Sequence, residues 1–103
     1  MRPPASVRIG AQRWRLHRGS LIELGDVYGV TVERELRITL ADRQAPAQLR
    51  ETVLHELLHA IWSKAPLDQD DAEQERIIGS LSPWLLGVLR DNPELVAFLL
   101  AGK

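Results

Sequence analysis

The chain has 103 residues, 45% apolar and 26% charged, with 13 basic and 14 acidic side chains and a net charge of −1. This size and composition are typical of a folded protein, so we predict a single domain over residues 1–103. A near-neutral chain has no long-range attraction for nucleic acid or anionic lipid, and no apolar run is long enough to span a bilayer. Nucleic acid and membranes are therefore not the expected partners.

Cysteine is absent, which excludes disulfides and every cysteine-based zinc site. The basic segment 1–19 lacks the apolar core of a secretory signal, so we interpret it as part of the mature domain. Both features are consistent with a cytoplasmic location, which is the expectation from the sequence.

Apolar residues at Val7, Ile9, Trp14 and Leu16 predict a strand over residues 7–16, interrupted near Gly10. Residues 24–41, LGDVYGVTVERELRITLA, begin with turn signals and then alternate in polarity, which predicts two more strands. From Leu49 onward the apolar residues recur every three or four positions. This period predicts a helix from about Ala47 to Lys64, with Pro46 in its first turn and Pro66 beyond its end.

An acidic segment then leads into a second predicted helix, with Asp68 or Asp70 as its N-cap. Its expected inner stripe is Ile77, Ile78, Leu81 and Leu85. Proline residues at 83 and 93 predict that the tail breaks into short helices, the last of which, PELVAFLLA, closes the core. All three tryptophans, Trp14, Trp62 and Trp84, are expected in the core or at its edge.

Strands followed by helices predict an α+β domain. The expected arrangement is a small antiparallel or mixed N-terminal sheet, then an active-site helix, then a C-terminal helical part.

The segment 53–62, VLHELLHAIW, contains two histidines and a glutamate in an apolar helix. His55 and His59 are four residues apart, so both face the same way and can bind one zinc ion. Glu56 lies beside them, where a carboxylate can act as general base on a zinc-activated water. The simpler alternative is a solvent-exposed polar face. The apolar neighbours favour burial, which is costly for such groups unless they are satisfied, so we predict a zinc site.

A third ligand has several candidates. His17 is the only other histidine, and its position in the basic WRLHRG segment favours an exposed loop or strand end. The second predicted helix supplies Asp70, Asp71, Glu73 and Glu75. Helical angle alone does not distinguish Glu73 from Glu75, because both lie at the edges of the apolar stripe.

The segment LRETVLHELLHAIW, followed by an acidic helix, resembles the gluzincin metallopeptidases. More narrowly, residues 25–100 resemble small HExxH proteins of phage and prophage genomes that are related to the ImmA/IrrE-like group. The resemblance implies that His55, His59 and a glutamate on the next helix bind zinc and that Glu56 is the general base. In the ImmA/IrrE-like pattern, small or apolar residues follow the ligand glutamate three, six and seven places on. The resemblance therefore favours Glu75 over Glu73, although Gly79 stands where the family has a polar residue. The resemblance also implies that the strand RELRITLA forms the sheet edge along which a peptide lies.

The sequence therefore predicts a zinc-dependent metallopeptidase that acts on a peptide or protein substrate, with Zn²⁺ as cofactor. The alternative is a non-catalytic, zinc-stabilised module that binds a protein, such as a phage regulatory or accessory protein. A further hypothesis is a domain that acts only within a larger assembly. The sequence does not determine the oligomeric state.

Overall fold

The computed structural model describes residues 2–20, 23–65 and 70–102, and it has the predicted α+β architecture with a mixed N-terminal sheet. The described strands are β1 Ser6–Ile9, β2 Gln12–Gly19, β3 Gly29–Val32 and β4 Arg37–Ala41. The described helices are α1 Pro46–Trp62, α2 Asp71–Asp91 and α3 Pro93–Leu99. None of these helices is long and apolar enough to cross a membrane.

The interruption predicted near Gly10 is a complete reversal of the chain. Gly10 has a φ of +60°, a conformation that glycine adopts without the steric cost of a Cβ atom. β1 and β2 therefore form an antiparallel hairpin in which Val7 lies opposite Trp14. The predicted strand over residues 7–16 is thus two strands, and the second of them extends to Gly19.

The order of strands in the sheet is β1-β2-β4-β3, with β4 parallel to β2 and antiparallel to β3. The expectation that RELRITLA forms the sheet edge is wrong, because β4 has a neighbour on each side. Ile38, Leu40 and Ala41 have no exposed surface, as expected for a central strand that is covered on its faces. The edge strand next to β4 is β3.

α1 packs on the sheet, and the core lies between them. Its buried centre consists of Trp14, Ile38, Leu40 and Ala60, surrounded by half-buried apolar side chains that include Leu49, Val53 and Leu57. α1 begins at Pro46, where a missing N–H has no cost, and it ends at Trp62, two residues before the predicted end. This packing determines which side of α1 faces the sheet.

The N-cap of α2 is Asp70, one of the two predicted residues, and its carboxylate accepts a hydrogen bond of 2.8 Å from the Glu73 N–H. Asp68, the other candidate, lies outside the described residues. The predicted break at Pro83 is wrong, because α2 continues through it to Asp91. Pro83 removes one backbone hydrogen bond, but it is exposed, so water can bind the carbonyl group that has lost its partner.

The predicted inner stripe of α2 is wrong at two positions. α2 packs against α1 and buries Ile78 and Ser82, whereas Leu81 is 58% exposed and Leu85 is 40% exposed. Leu85 follows Ile78 by seven residues and lies on nearly the same side of α2, and Leu81 lies about 60° from Ile78. The contact with α1 therefore covers only the part of this side around Ile78 and Ser82.

The C-terminal part of the chain adds little to the core. Trp84 is 78% exposed and Phe98 is 77% exposed, and α3 contains no buried residue. The predictions that Trp84 packs in the core and that the last helix closes it are therefore wrong. We call these exposed side chains the apolar C-terminal face; its members are Leu81, Trp84, Leu85, Val88, Leu95, Phe98, Leu99 and Leu100.

Two truncations on α2 test which side is buried. Ile78→Ala should lower the free energy of unfolding by about 2–4 kcal/mol, because it leaves a cavity against α1. Leu81→Ala, the matched control one turn along, should change it by less than about 0.5 kcal/mol. Urea denaturation followed by circular dichroism measures both values. Equal losses in the two variants would contradict the observed orientation of α2.

Candidate metal centre

α1 presents the two motif histidines on one side, as the four-residue spacing predicts. The ring centroids of His55 and His59 are 5.0 Å apart, and the rings are tilted by 59°. Their side chains are 20% and 16% exposed, so both are partly sheltered but open to the surface. The pair can therefore receive a ligand from outside the core.

α2 brings the carboxylate of Glu75 to both histidines. Glu75 Oε1 lies 3.0 Å from His55 Nε2, and Glu75 Oε2 lies 2.6 Å from His59 Nε2. Each of these three residues offers one possible ligand atom, and the three atoms lie within 4.8 Å of one another. Two histidines from α1 and one glutamate from α2 thus form a compact group of possible metal ligands, which we call the metal group.

The alternative glutamate has another partner. The Glu73 carboxylate accepts hydrogen bonds from the guanidinium group of Arg76, one turn along α2. These hydrogen bonds lower the pKa of Glu73 below its ordinary value. Within the described residues, Glu75 and not Glu73 contacts the histidines.

The metal group has a donor set that zinc accepts. Two imidazole nitrogens and one carboxylate oxygen are a common set of protein ligands for catalytic zinc. Ligands at about 2.0–2.1 Å from a tetrahedral zinc ion lie about 3.3 Å apart, whereas the two histidine–carboxylate distances are 3.0 and 2.6 Å, so the carboxylate would move outward to hold the ion. The donor chemistry of the three side chains therefore suits zinc, and a tetrahedral site with three protein ligands keeps a fourth position for water or substrate.

Gln74 orients His59 from the side opposite the metal group. The Gln74 Oε1 atom lies 2.6 Å from His59 Nδ1, and an amide oxygen only accepts hydrogen bonds, so Nδ1 is the donor. In the neutral ring this leaves the lone pair of Nε2 directed at the Glu75 carboxylate. Two acceptors then face each other, and either a proton on Nε2 or a metal ion between them satisfies both. This contact supports the fit to a cation.

Glu56 lies beside the metal group and is 7% exposed. The hydroxyl group of Thr31 on β3 donates a hydrogen bond of 2.7 Å to Glu56 Oε1. The other carboxylate oxygen, Oε2, is 4.0 Å from His55 Nε2. One oxygen of the Glu56 carboxylate thus accepts the hydrogen bond from Thr31, and the other oxygen lies close to the histidines.

Burial raises the pKa of the Glu56 carboxyl group above its ordinary value. The hydrogen bond from Thr31 and the nearby imidazoles of His55 and His59 oppose this rise, whereas the charge of Glu75 adds to it. A partly desolvated carboxylate of this kind is a better proton acceptor than one in water, which suits a general base.

Gly29 on β3 makes room for Glu56. A Cβ atom at position 29 would lie 2.8 Å from Thr52 Cγ2, 2.9 Å from Glu56 Cγ and 3.1 Å from Glu56 Oε2. The absence of a side chain therefore allows the edge strand to approach α1 closely enough for the contact between Thr31 and Glu56.

These side chains line a cleft of about 740 Å³ between β3, α1 and α2. His55, His59, Glu56 and Glu75 all belong to its walls. The edge strand contributes Gly29, Val30 and Thr31, and the aromatic side chains at the rim are Tyr28 and Trp62. The candidate metal centre is therefore open to a molecule that enters along β3.

The structure brings together some of the predicted site residues and separates others. His55, Glu56, His59 and Glu75 share the cleft, whereas His17 is exposed on β2, paired in register with Thr39, and is not part of the metal group. Sequence reasoning missed three residues that support the site, namely Gly29, Thr31 and Gln74. Only Gln74 could have been predicted from the sequence, because it is next to Glu75. The contacts of Gly29 and Thr31 depend on how β3 docks against α1.

Comparisons of the chain with known protein families, with curated proteins and with solved structures find no match.

Replacing Gly29 by alanine should displace the Glu56 side chain or push β3 away from α1. We expect the free energy of unfolding to fall by about 1–3 kcal/mol, as for other overpacked sites. Gly87→Ala is the matched control: an added Cβ at this helical position meets nothing within 4 Å, so we expect a gain of up to about 1 kcal/mol. Urea denaturation measures both changes, and a stabilised Gly29→Ala variant would contradict the close approach.

Replacing Gln74 by leucine should weaken zinc binding about 10- to 100-fold, because His59 loses the acceptor that fixes its tautomer. Gln74→Glu keeps an acceptor and should bind zinc with an affinity close to that of the wild type. Competition with a chromophoric chelator measures the affinity, and ¹⁵N NMR of His59 reports the tautomer. Unchanged affinity and tautomer in Gln74→Leu would contradict the role of this contact.

Proposed function

We propose that this chain is a zinc-dependent metallopeptidase domain that hydrolyses peptide bonds with Glu56 as general base. The observation that supports it best is the convergence of His55, His59 and Glu75 within 4.8 Å, beside a buried carboxylate held by one oxygen. A site that only stabilised the fold would have no need of that carboxylate. The cleft in which these groups lie is open to an extended ligand.

In this proposal His55, His59 and Glu75 hold zinc, which supplies a Lewis acid that lowers the pKa of water towards 7. Glu56 Oε2 accepts the proton of the attacking water and then transfers it to the nitrogen of the departing amine. Thr31 keeps Glu56 Oε1 occupied, so Oε2 is the oxygen available for this transfer. Gln74 holds the His59 ring in a tautomer that leaves Nε2 free.

The substrate in this proposal is a peptide in extended conformation that lies along β3. β3 pairs with β4 on one side, and no described strand pairs with its other side. Backbone N–H and C=O groups on such an edge can bind a peptide as an added strand. Because β3 also lines the cleft, the peptide bond would pass close to Glu56.

The kinship that we propose is with gluzincins of the ImmA/IrrE-like kind found in phage and prophage genomes. It rests on the HExxH motif at residues 55–59 and on a glutamate supplied by the following helix. We propose a cytoplasmic location on the absence of cysteine.

Zinc content and peptide hydrolysis, measured on one set of variants without a metal-binding tag, test the function. We expect about one zinc ion per chain in the wild type by elemental analysis. His55→Ala and Glu75→Ala should lose the zinc or bind it much more weakly. Glu56→Gln should retain zinc and lose at least about 100-fold in hydrolysis, because it has no proton acceptor.

Glu73→Gln is the control, since Glu73 contacts Arg76 and not the histidines; it should retain both zinc and activity. A folded wild type that binds no zinc when supplied with it would refute the metal site. Full hydrolytic activity in Glu56→Gln would remove this residue from the mechanism.

A second candidate is a non-catalytic zinc-stabilised module that binds a protein. The exposed apolar side chains of the C-terminal face favour it, because clusters of exposed apolar surface often mark interaction sites. The coordination of the bound zinc separates the two candidates. A closed site with four protein ligands supports the module, and three protein ligands with one water support the peptidase.

A further inference from the structure

The charged side chains around the cleft are acidic, although the whole chain is almost neutral. Apart from Glu56 and Glu75, its lining includes Glu33, Glu51 and Asp71, and no lysine or arginine among the described residues lines it. Five carboxylates against the two charges of a zinc ion leave three negative charges when the histidines are neutral. The basic side chains of the described residues thus lie outside this lining, and the cleft attracts cations.

Two of the acidic residues lie one helical turn from the metal group. Glu51 precedes His55 by four residues on α1, and Asp71 precedes Glu75 by four residues on α2, so each shares a side of its helix with a possible ligand. His55 contacts Glu75 and lies near Gly79, whereas His59 contacts Gln74.

These contacts show that α1 and α2 run in opposite directions. Glu51 and Asp71 therefore lie on opposite sides of the metal group, each about 6 Å along the helix axis from its neighbouring ligand.

Glu33 belongs to the same end of the cleft as Asp71. Gly29 lies against Thr52 and Glu56, and Thr31 lies against the side chain and carbonyl oxygen of Glu56. β3 therefore runs in the same direction as α1. Glu33, which follows β3 directly, continues towards the C-terminal end of α1, so one end of the cleft has two acidic groups and the other has one.

The carboxylate of Glu56 adds an acceptor to this charged cleft. Glu56 is 7% exposed and lines the cleft. Its Oε1 accepts a hydrogen bond from Thr31, but no donor within the described residues binds Oε2. Oε2 is therefore left to accept a hydrogen bond from a molecule in the cleft.

We propose that the cleft selects peptides with lysine or arginine on both sides of the bond that is cleaved, most strongly on the side of Glu33 and Asp71. This inference rests on the proposed peptidase function. An extended peptide advances about 3.3 Å per residue, so a displacement of about 6 Å corresponds to about two residues. The selected basic side chains therefore lie about two residues before and after that bond.

Three matched peptides test the selection. They share one neutral sequence and have two lysines, two glutamines or two glutamates, placed two residues to either side of the central bond. Fluorescence anisotropy measures their binding to zinc-loaded Glu56→Gln protein, which does not cleave them, and chromatography measures their hydrolysis by the wild type.

We expect the lysine peptide to bind roughly 5- to 25-fold more tightly than the glutamine peptide, at about fivefold per charge pair, and the glutamate peptide to bind most weakly. This preference should shrink as salt rises from about 0.05 M to about 0.5 M, because salt screens exposed charges.

Peptides with a single lysine test the two ends of the cleft separately. Adding Asp71→Asn to the Glu56→Gln protein should reduce the preference for lysine on one side of the bond, and adding Glu51→Gln should reduce it on the other. Glu94→Gln, an exposed carboxylate on α3 outside the cleft, is the control and should leave both preferences unchanged. Circular dichroism confirms that each variant is folded.

Equal binding of the lysine and glutamine peptides at low salt would overturn the inference. If the wild type still hydrolyses both, the peptidase function stands without charge selection. If the lysine peptide binds preferentially and the wild type cleaves none of the three, charge selection at the cleft stands and the peptidase function fails.

Discussion

The burial of the Glu56 carboxylate is the constraint on which the architecture of the site depends. A carboxylate that is 7% exposed needs a hydrogen-bond donor, and Thr31 on the edge strand supplies it. The donor reaches Glu56 only because Gly29, two residues earlier on β3, has no side chain to keep the strand away from α1. One hydrogen bond and one missing Cβ atom therefore determine how the sheet edge meets the helix, and the same contact forms one wall of the cleft.

The other wall depends on the rotation of α2. The Asp70 cap begins this helix so that Gln74 and Glu75 reach the histidines of α1, while Glu73 turns to Arg76. Gln74 and Glu75, although adjacent on one turn, thus make different contacts with the histidines. Gln74 orients a ring, and Glu75 supplies a ligand atom. The two possible ligands from α1 are close in sequence and rigidly spaced, so the docking of α2 decides whether the group is complete.

The distribution of buried residues separates the molecule into a supporting part and an exposed part. The core between the sheet and α1 supports α1, so His55 and His59 project from a well-packed helix. Beyond Ser82, by contrast, no described residue is buried, although this region contains Trp84 and Phe98. The acidic cleft and the apolar C-terminal face are therefore chemically different surfaces, and they would attract different partners.

The sequence by itself determined the α+β class, the course of α1 and the shared orientation of His55 and His59, because these follow from local periodicity and a four-residue spacing. It did not determine that β4 is central, that Leu81 and Trp84 face outward or that Thr31 contacts Glu56. Strand order and helix rotation are decided by packing between segments distant in the chain. An apolar pattern on one element does not say which neighbour will cover it, so only the tertiary structure could decide.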